Sequence, residues 1–457
     1  MKKVRIGAGQ GFYGDSFDGA VMNAKYGNLD YLAFDALAEL TMAILAKNKF
    51  QHPELGYTRD IGLAMQALLP LMKKNKFKML TNAGGLNPHA AKEVVLHVAK
   101  KMGIHDIKVA VVTGDDIKPR ISELQDAGVD FTDLETAKPF TKEIEEKLLF
   151  ANAYLGAKPL VEALRQGADI VISGRTTDTA QFLAPLIYEF GWEEDDWDRL
   201  ASGVFMGHLL ECSAQSTGGN FSADWQSIEN FEQIGYPIAE VSENGEFVIT
   251  KVEGSGGLVN AQTVKEQMLY EIHDPANYIT PDVVVDITNV TLEEIAPNQV
   301  KVTGVKGKER PKDLKVVAGY DDGYMGQVIV GFSWPDALEK AKKAEEIIYR
   351  IMEKKSITFE KMHVDYIGFN SLHGPLAHDA GDPNEVYLRM AVKTYDKKKA
   401  DNFFRLFPPL ALNGPPTMST FGQIPTRQLL GMWSFLVPRK LIESHVTISM
   451  SEVGEPV

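Results

Sequence analysis

Short β-rich runs alternate with longer helical patterns through the N-terminal part of the chain. Residues 4–6 run into a glycine loop, 31–34 into Asp35, 78–80 into TNAGGLNP, 109–112 into TGDD and 170–172 into SGRTTD. Amphipathic stretches at 61–72 and 88–101 lie between them. In the second, Val94, Val95 and Val98 recur at helical spacing ahead of Gly103, a residue suited to ending a helix. This rhythm predicts an α/β fold, a parallel sheet with helices on both faces. Right-handed crossovers then put the strand ends on one side, where open α/β sheets bind their ligands.

After about residue 275 the pattern changes to alternating strands at 283–287, 300–305 and 328–332, with a charged helix at 335–353. The later order is strand 327–332, helix 335–353, strands 363–369 and 385–392, then helix 397–407. It reads β-α-β-β-α and predicts a C-terminal α+β domain of ferredoxin-like form. Two domains are expected: 1–275, α/β with glycine-rich strand-end loops, and 276–457, α+β with an irregular C-terminal segment that starts at NGPP.

Composition narrows the partners. With 457 residues, 44% of them hydrophobic and 24% charged, the chain can bury a sizeable core without staples. Cys212 is the single cysteine, which excludes an intramolecular disulfide and a Cys-rich zinc or iron–sulfur site and fits a reducing, cytoplasmic setting. A formal net charge of -14 opposes phosphate backbones and anionic lipid, so neither nucleic acid nor a membrane is expected as partner. The most apolar helix candidate, 32–45, carries Asp35 and Glu39, which argues against a membrane span; the opening MKKVRIGAG lacks the apolar region of a signal peptide.

Candidate chemistry clusters at the strand ends. GAGQGFYGD lets the backbone approach a ligand at Gly9 and Gly11, but its spacing departs from the dinucleotide fingerprint, and no cofactor follows from it. TNAGGLNP sets Asn82, Gly84 and Gly85 before a helix that Asn87 and Pro88 can start, a place suited to a carboxylate. SGRTTDTA adds Arg175, a planar donor, and Asp178, although these two could simply pair with each other. TGDDI supplies Asp115 and Asp116. With Asp15, Asp35 and Glu39 these could serve acid–base work or hold Mg²⁺, yet strand-end carboxylates commonly cap helices, and no metal is assigned. GHLLECSAQSTGGNF is the densest constellation. If helical, it sets His208 and Cys212 one turn apart with Glu211 alongside, then opens into Gly218 and Gly219. The plain alternative is a buried thiol and a core histidine. GSGGLVNAQTVKEQ repeats the glycine-loop-to-helix theme, and His373, His378 and Asp379 lie in a loop with irregular spacing.

At these same residues the sequence resembles the acyclic terpene utilisation AtuA family. GAGQGFYGD, LDYLAFDALAELTMAIL, TNAGGLNP, GRTTDTA, GHLLECSAQSTGGN, GSGGLVNAQTVKEQMLYEIHDP, PLALNGPP and FLVPR look like its shared blocks, in the same order. The resemblance implies a place in degradation of terpenoid acids through coenzyme A thioesters. Some members carry an extra small C-terminal domain, so it also implies that such a piece is absent here or supplied by a small partner protein.

The expectation is therefore an enzyme of lyase or hydratase type, acting on a small carboxylic acid or its acyl-CoA thioester, in a homo-oligomer. Asn82, Gly84, Gly85 and Arg175 would hold the acid group, with Gly9, Gly11, Gly218 and Gly219 nearby. Asp115, Asp178, His208, Glu211 or Cys212 would move the proton. Truncating Arg175 would then raise KM more than it disturbs folding. Two alternatives are a non-catalytic acyl-binding subunit and an acyl transferase working through Cys212.

Overall fold

The computed structural model describes residues 2–378, 381–420 and 424–453. The chain is mixed α/β, with a large mixed sheet and several helices, and it divides into two compact units. The larger is 1–319 with 432–457, and the smaller is 320–431. Residue 275, where the pattern along the sequence changes, lies inside the larger unit.

The larger unit is built on β1 (Lys3–Ala8), β2 (Tyr31–Phe34), β3 (Lys78–Thr81), β4 (Lys108–Thr113), β5 (Leu148–Ala153), β6 (Ile170–Ser173), β7 (Ile238–Ser242) and β8 (Phe247–Thr250). In the middle of its sheet β1, β2, β3, β6 and β4 pair in parallel, in that order. Antiparallel neighbours extend both edges. β7, β8, Gln299–Thr303 and Thr291–Ala296 follow on the β1 side, and Thr447–Glu452 follows on the β4 side. The sheet is thus mixed rather than wholly parallel.

Strand pleating explains why β2 is apolar throughout. Leu32 and Phe34 enter a core shared with helices Asp18–Tyr26, Ile61–Asn75 and Pro88–Lys101. Tyr31 alternates with them and reaches Glu189 of helix Ala180–Phe190 with a 2.5 Å hydrogen bond. Pairing on both edges makes 31–34 a strand, and the following helix starts only at Glu39, not at Leu32 as the apolar character of 32–45 suggested. β5 was not legible as a strand; it pairs with the distant strand Asp313–Ser333.

In the smaller unit, strands run in the order Lys361–Ile367, Glu385–Thr394, residues 320–333 of the strand Asp313–Ser333, then Met418–Thr420, all antiparallel. Helices Ala337–Lys354 and Lys397–Phe403 follow the first and third strands in sequence, and their apolar faces share a core with Val328, Val330, Leu388 and Met390. No helix among the described residues is long and apolar enough to cross a membrane.

Candidate active site

The register of the parallel strands decides which strand-end residues meet. Phe34 lies opposite Thr81, and Thr81 opposite Ile172, so the residues leaving β2, β3 and β6 are neighbours. Asn82 uses this position to donate from Nδ2 to Asp35 Oδ1 at 2.5 Å and to accept the Ala36 N–H at 2.6 Å. Its side chain is fully committed and buried.

Asp115 is committed in the same way. It accepts from the Arg175 N–H at 2.7 Å and from Asn152 Nδ2 at 2.8 Å, tying the turn after β4 to the turn after β6. Burial raises its carboxyl from 3.8 to about 6 in spite of those two bonds. Such a group adds stability below its unfolded value, and that stability is lost as pH rises through about 6. The difference corresponds to about 3 kcal/mol. Asp115→Asn keeps an acceptor for both bonds, so urea unfolding should show it losing less stability than the parent between about pH 4 and pH 7. An unchanged pH slope would mean that Asp115 does not fold protonated.

Arg175 is 2% exposed. One Nη donates to the Leu37 carbonyl, the other to Asp178 Oδ1 at 2.8 Å, and the guanidinium carbon sits 4.0 Å from the centroid of the Tyr154 ring. Tyr154, at the end of β5, donates to Glu39 Oε1 at 3.0 Å, and Lys315 holds the same oxygen at 2.8 Å. Both Nη groups of the guanidinium thus have partners within the protein, while its Nε has none.

Helix Trp197–Glu211 brings up the other wall. His208 Nε2 lies 2.8 Å from the Gln267 carbonyl, which can only accept, so this nitrogen carries a proton. Its Nδ1 lies 2.9 Å from Glu211 Oε1. Burial lowers His208 to about 4, and burial followed by the charges of Asp178 and Glu271 raises Glu211 well above the carboxylate range. Both directions describe a neutral imidazole accepting from a protonated Glu211. The second oxygen of Glu211 has no hydrogen-bond partner. Asp35 is raised likewise, by burial first and then by Asp178. Cys212 falls just past the helix end, so the pair that forms is His208–Glu211, three apart, and not His208–Cys212. Burial and the Glu211 charge push the Cys212 thiol well up, the opposite of an activated thiolate.

Two cavities adjoin here, of about 580 and about 400 Å³. Ala38, Asp178, Glu211 and Glu271 line both. Arg175, His208, Tyr154, Tyr278, Lys312 and Lys315 line the larger; Gly11, Asp35, Cys212 and Ser213 line the smaller. All belong to the larger unit. The sequence-derived set thus divides. Asp178, His208, Glu211, Cys212, Arg175 and Gly11 come together, while Gly9, Asn82, Gly84, Gly85, Asp115, Gly218 and Gly219 line neither cavity.

Packing accounts for those glycines. A Cβ on Gly9 would strike the Phe34 ring, one on Gly84 would come within 2.8 Å of Pro88 Cα, and one on Gly85 within 2.9 Å of the Gly56 carbonyl. At Gly218 and Gly219 it would meet Ile228 at 2.8 Å and the Ala214 carbonyl at 3.0 Å. Among the described residues no three His, Cys, Asp or Glu side chains gather to hold a metal. His373 and His378 are exposed, and Asp379 lies outside the described residues. Tyr154 and Lys315 were not found by sequence reasoning, since they reach the site through a strand pairing distant in sequence, and Tyr278 was missed because its strand is only two residues long.

Fold and site together define a mixed α/β protein in which a buried, hydrogen-bonded His208–Glu211 pair lines a medium-sized cavity. The chain belongs to the family described as acyclic terpene utilisation family protein AtuA, whose model matches residues 4–448. No curated protein and no solved structure compared with the chain matches it.

Proposed function

We propose that the protein is an enzyme of lyase or hydratase type acting on a small carboxylic acid or its acyl-CoA thioester, in the utilisation of acyclic terpenes that the family name describes. The observation that carries this reading is Glu211, whose second oxygen is buried without a hydrogen-bond partner and which lines the same cavity as Asp178 in its ion pair with Arg175. Two neighbouring carboxyl groups in contrasting settings supply an acid and a base. In hydration of a double bond conjugated to the acid carbonyl, Asp178 takes a proton from water as the water oxygen bonds the β-carbon. Glu211 delivers a proton to the α-carbon. The reverse sequence eliminates water. Lys312 and Lys315 give the larger cavity its positive side for an acid or thioester end, and a cavity of this size suits a small acyl group.

The smaller unit is read as a ferredoxin-like domain. Its sheet order, second–third–first–fourth strand of the unit with a helix after the first and third, supports that reading.

The test is incubation with crotonate and tiglate, free and as N-acetylcysteamine thioesters, in deuterated water. Deuterium at the α-carbon or a hydrated product is expected by NMR. Binding without exchange or product would instead favour an acyl-binding subunit. A thiol route predicts that Cys212→Ala abolishes turnover. The raised thiol predicts that this variant keeps most of it and that Cys212 alkylates slowly at about pH 8.

A further inference from the structure

Tyr278 stands out among the groups the acid–base scheme does not use. It lies on the short strand Tyr278–Ile279 and is fixed by the ladder that pairs it with Val285, so its backbone is held and not left to a loop. Its ring sits 5.6 Å from the His208 imidazole, tilted by 58°, and it lines the larger cavity beside Glu211 and Asp178. Among the described residues no hydrogen-bond partner receives its hydroxyl, although Tyr31, Tyr236 and Tyr366 each donate to a carboxylate or a carbonyl. A half-buried phenol with an unengaged O–H in a polar cavity is a donor waiting for an acceptor. It stays protonated, because burial and then the charges of Glu211, Asp178, Cys212 and Glu271 raise it well above the usual phenol range.

Addition of water at the β-carbon, or in the reverse direction removal of the α-proton, places negative charge on the carbonyl oxygen of an acid or thioester. A donor already in position for that oxygen stabilises the transition state without reorganising. Of the donors on this cavity, Lys315 is held by Glu39 and the Arg175 Nη groups by the Leu37 carbonyl and Asp178, whereas the Tyr278 hydroxyl, which stands on the wall with Glu211, is unengaged.

We propose that the Tyr278 hydroxyl is a catalytic residue, donating a hydrogen bond to the carbonyl oxygen of the bound acid or thioester while Glu211 handles the α-proton. The inference rests on the acid–base reading of the cavity, and it narrows the substrate to acyl compounds whose carbonyl accepts that bond.

Tyr278→Phe keeps the ring against His208 and removes only the hydroxyl. It should lower turnover of the crotonyl and tiglyl probes by about a hundredfold to a thousandfold, with KM changed far less and the thermal midpoint unmoved. The carbonyl stretch of the bound thioester, read by isotope-edited infrared difference spectroscopy, should lie lower in the parent protein than in Tyr278→Phe. Glu211→Gln separates the two ideas. If Glu211→Gln abolishes exchange while Tyr278→Phe retains full turnover and an unshifted carbonyl band, this inference is overturned and the acid–base reading stands. If Glu211→Gln retains exchange, or the parent acts on none of the probes, the acid–base reading falls and this inference with it. A thermal midpoint lowered in step with activity would make Tyr278 a packing residue and would equally overturn the proposal.

Discussion

Glu211→Gln should lose turnover by about two to four powers of ten, the range of a missing general acid or base, and still fold. The amide is nearly isosteric with the carboxyl. Its N–H can donate to His208 Nδ1 as the protonated carboxyl does, so the neutral imidazole and its 2.8 Å bond to the Gln267 carbonyl survive. What the amide lacks is a proton to release. There is also a signature in stability. A carboxyl raised in the folded protein contributes stability that is lost as pH rises, so Glu211→Gln should be less sensitive than the parent to alkaline pH. Denaturant unfolding across pH, beside steady-state rates, checks both halves. Full turnover in a folded Glu211→Gln would remove Glu211 from the chemistry.

Arg175→Ala should fail in a different way. The guanidinium is buried under Tyr154, bonded to the Leu37 carbonyl and paired with Asp178, and it also offsets the charge of Asp35. Deleting this buried side chain leaves a cavity and an unpaired Leu37 carbonyl, while Asp178, 37% exposed, regains water, so the loss is about 2–5 kcal/mol. Urea unfolding should therefore show a large fall in midpoint, with activity lost at temperatures where the parent is intact. Arg175→Lys should recover only part of the stability, because an ammonium cannot serve the carbonyl, the carboxylate and the aromatic face together. A variant of native stability with only a raised KM would show that Arg175 reaches the substrate directly.

Much of the scaffold could be read from local pattern. The five parallel strands and helices such as Pro88–Lys101 announce themselves because their apolar periods and cap residues are contiguous in sequence. Non-local pairings do not. β5 is six residues with no turn signal of its own, and its partner strand lies more than a hundred residues away; Tyr154 and Lys315 were missed with it. Tyr278 lies on a two-residue strand, too short to show a period. Strand-end glycines advertised close backbone approach correctly, but what approaches is protein: Phe34, Pro88 and the Gly56 carbonyl. Spacing alone favoured His208 with Cys212. The helix ends at Glu211 with no glycine to mark the end, and this turned the pair into His208 with Glu211.

The central claim is that Glu211 is a protonated carboxyl whose free oxygen meets the ligand. Infrared difference spectroscopy at about pH 7, parent minus Glu211→Gln, tests it most directly. The account predicts a protonated-carboxyl C=O band that shifts in deuterated water, is missing from the variant and moves when an acyl probe binds. A pair of carboxylate bands in its place, indifferent to the probe, would contradict it.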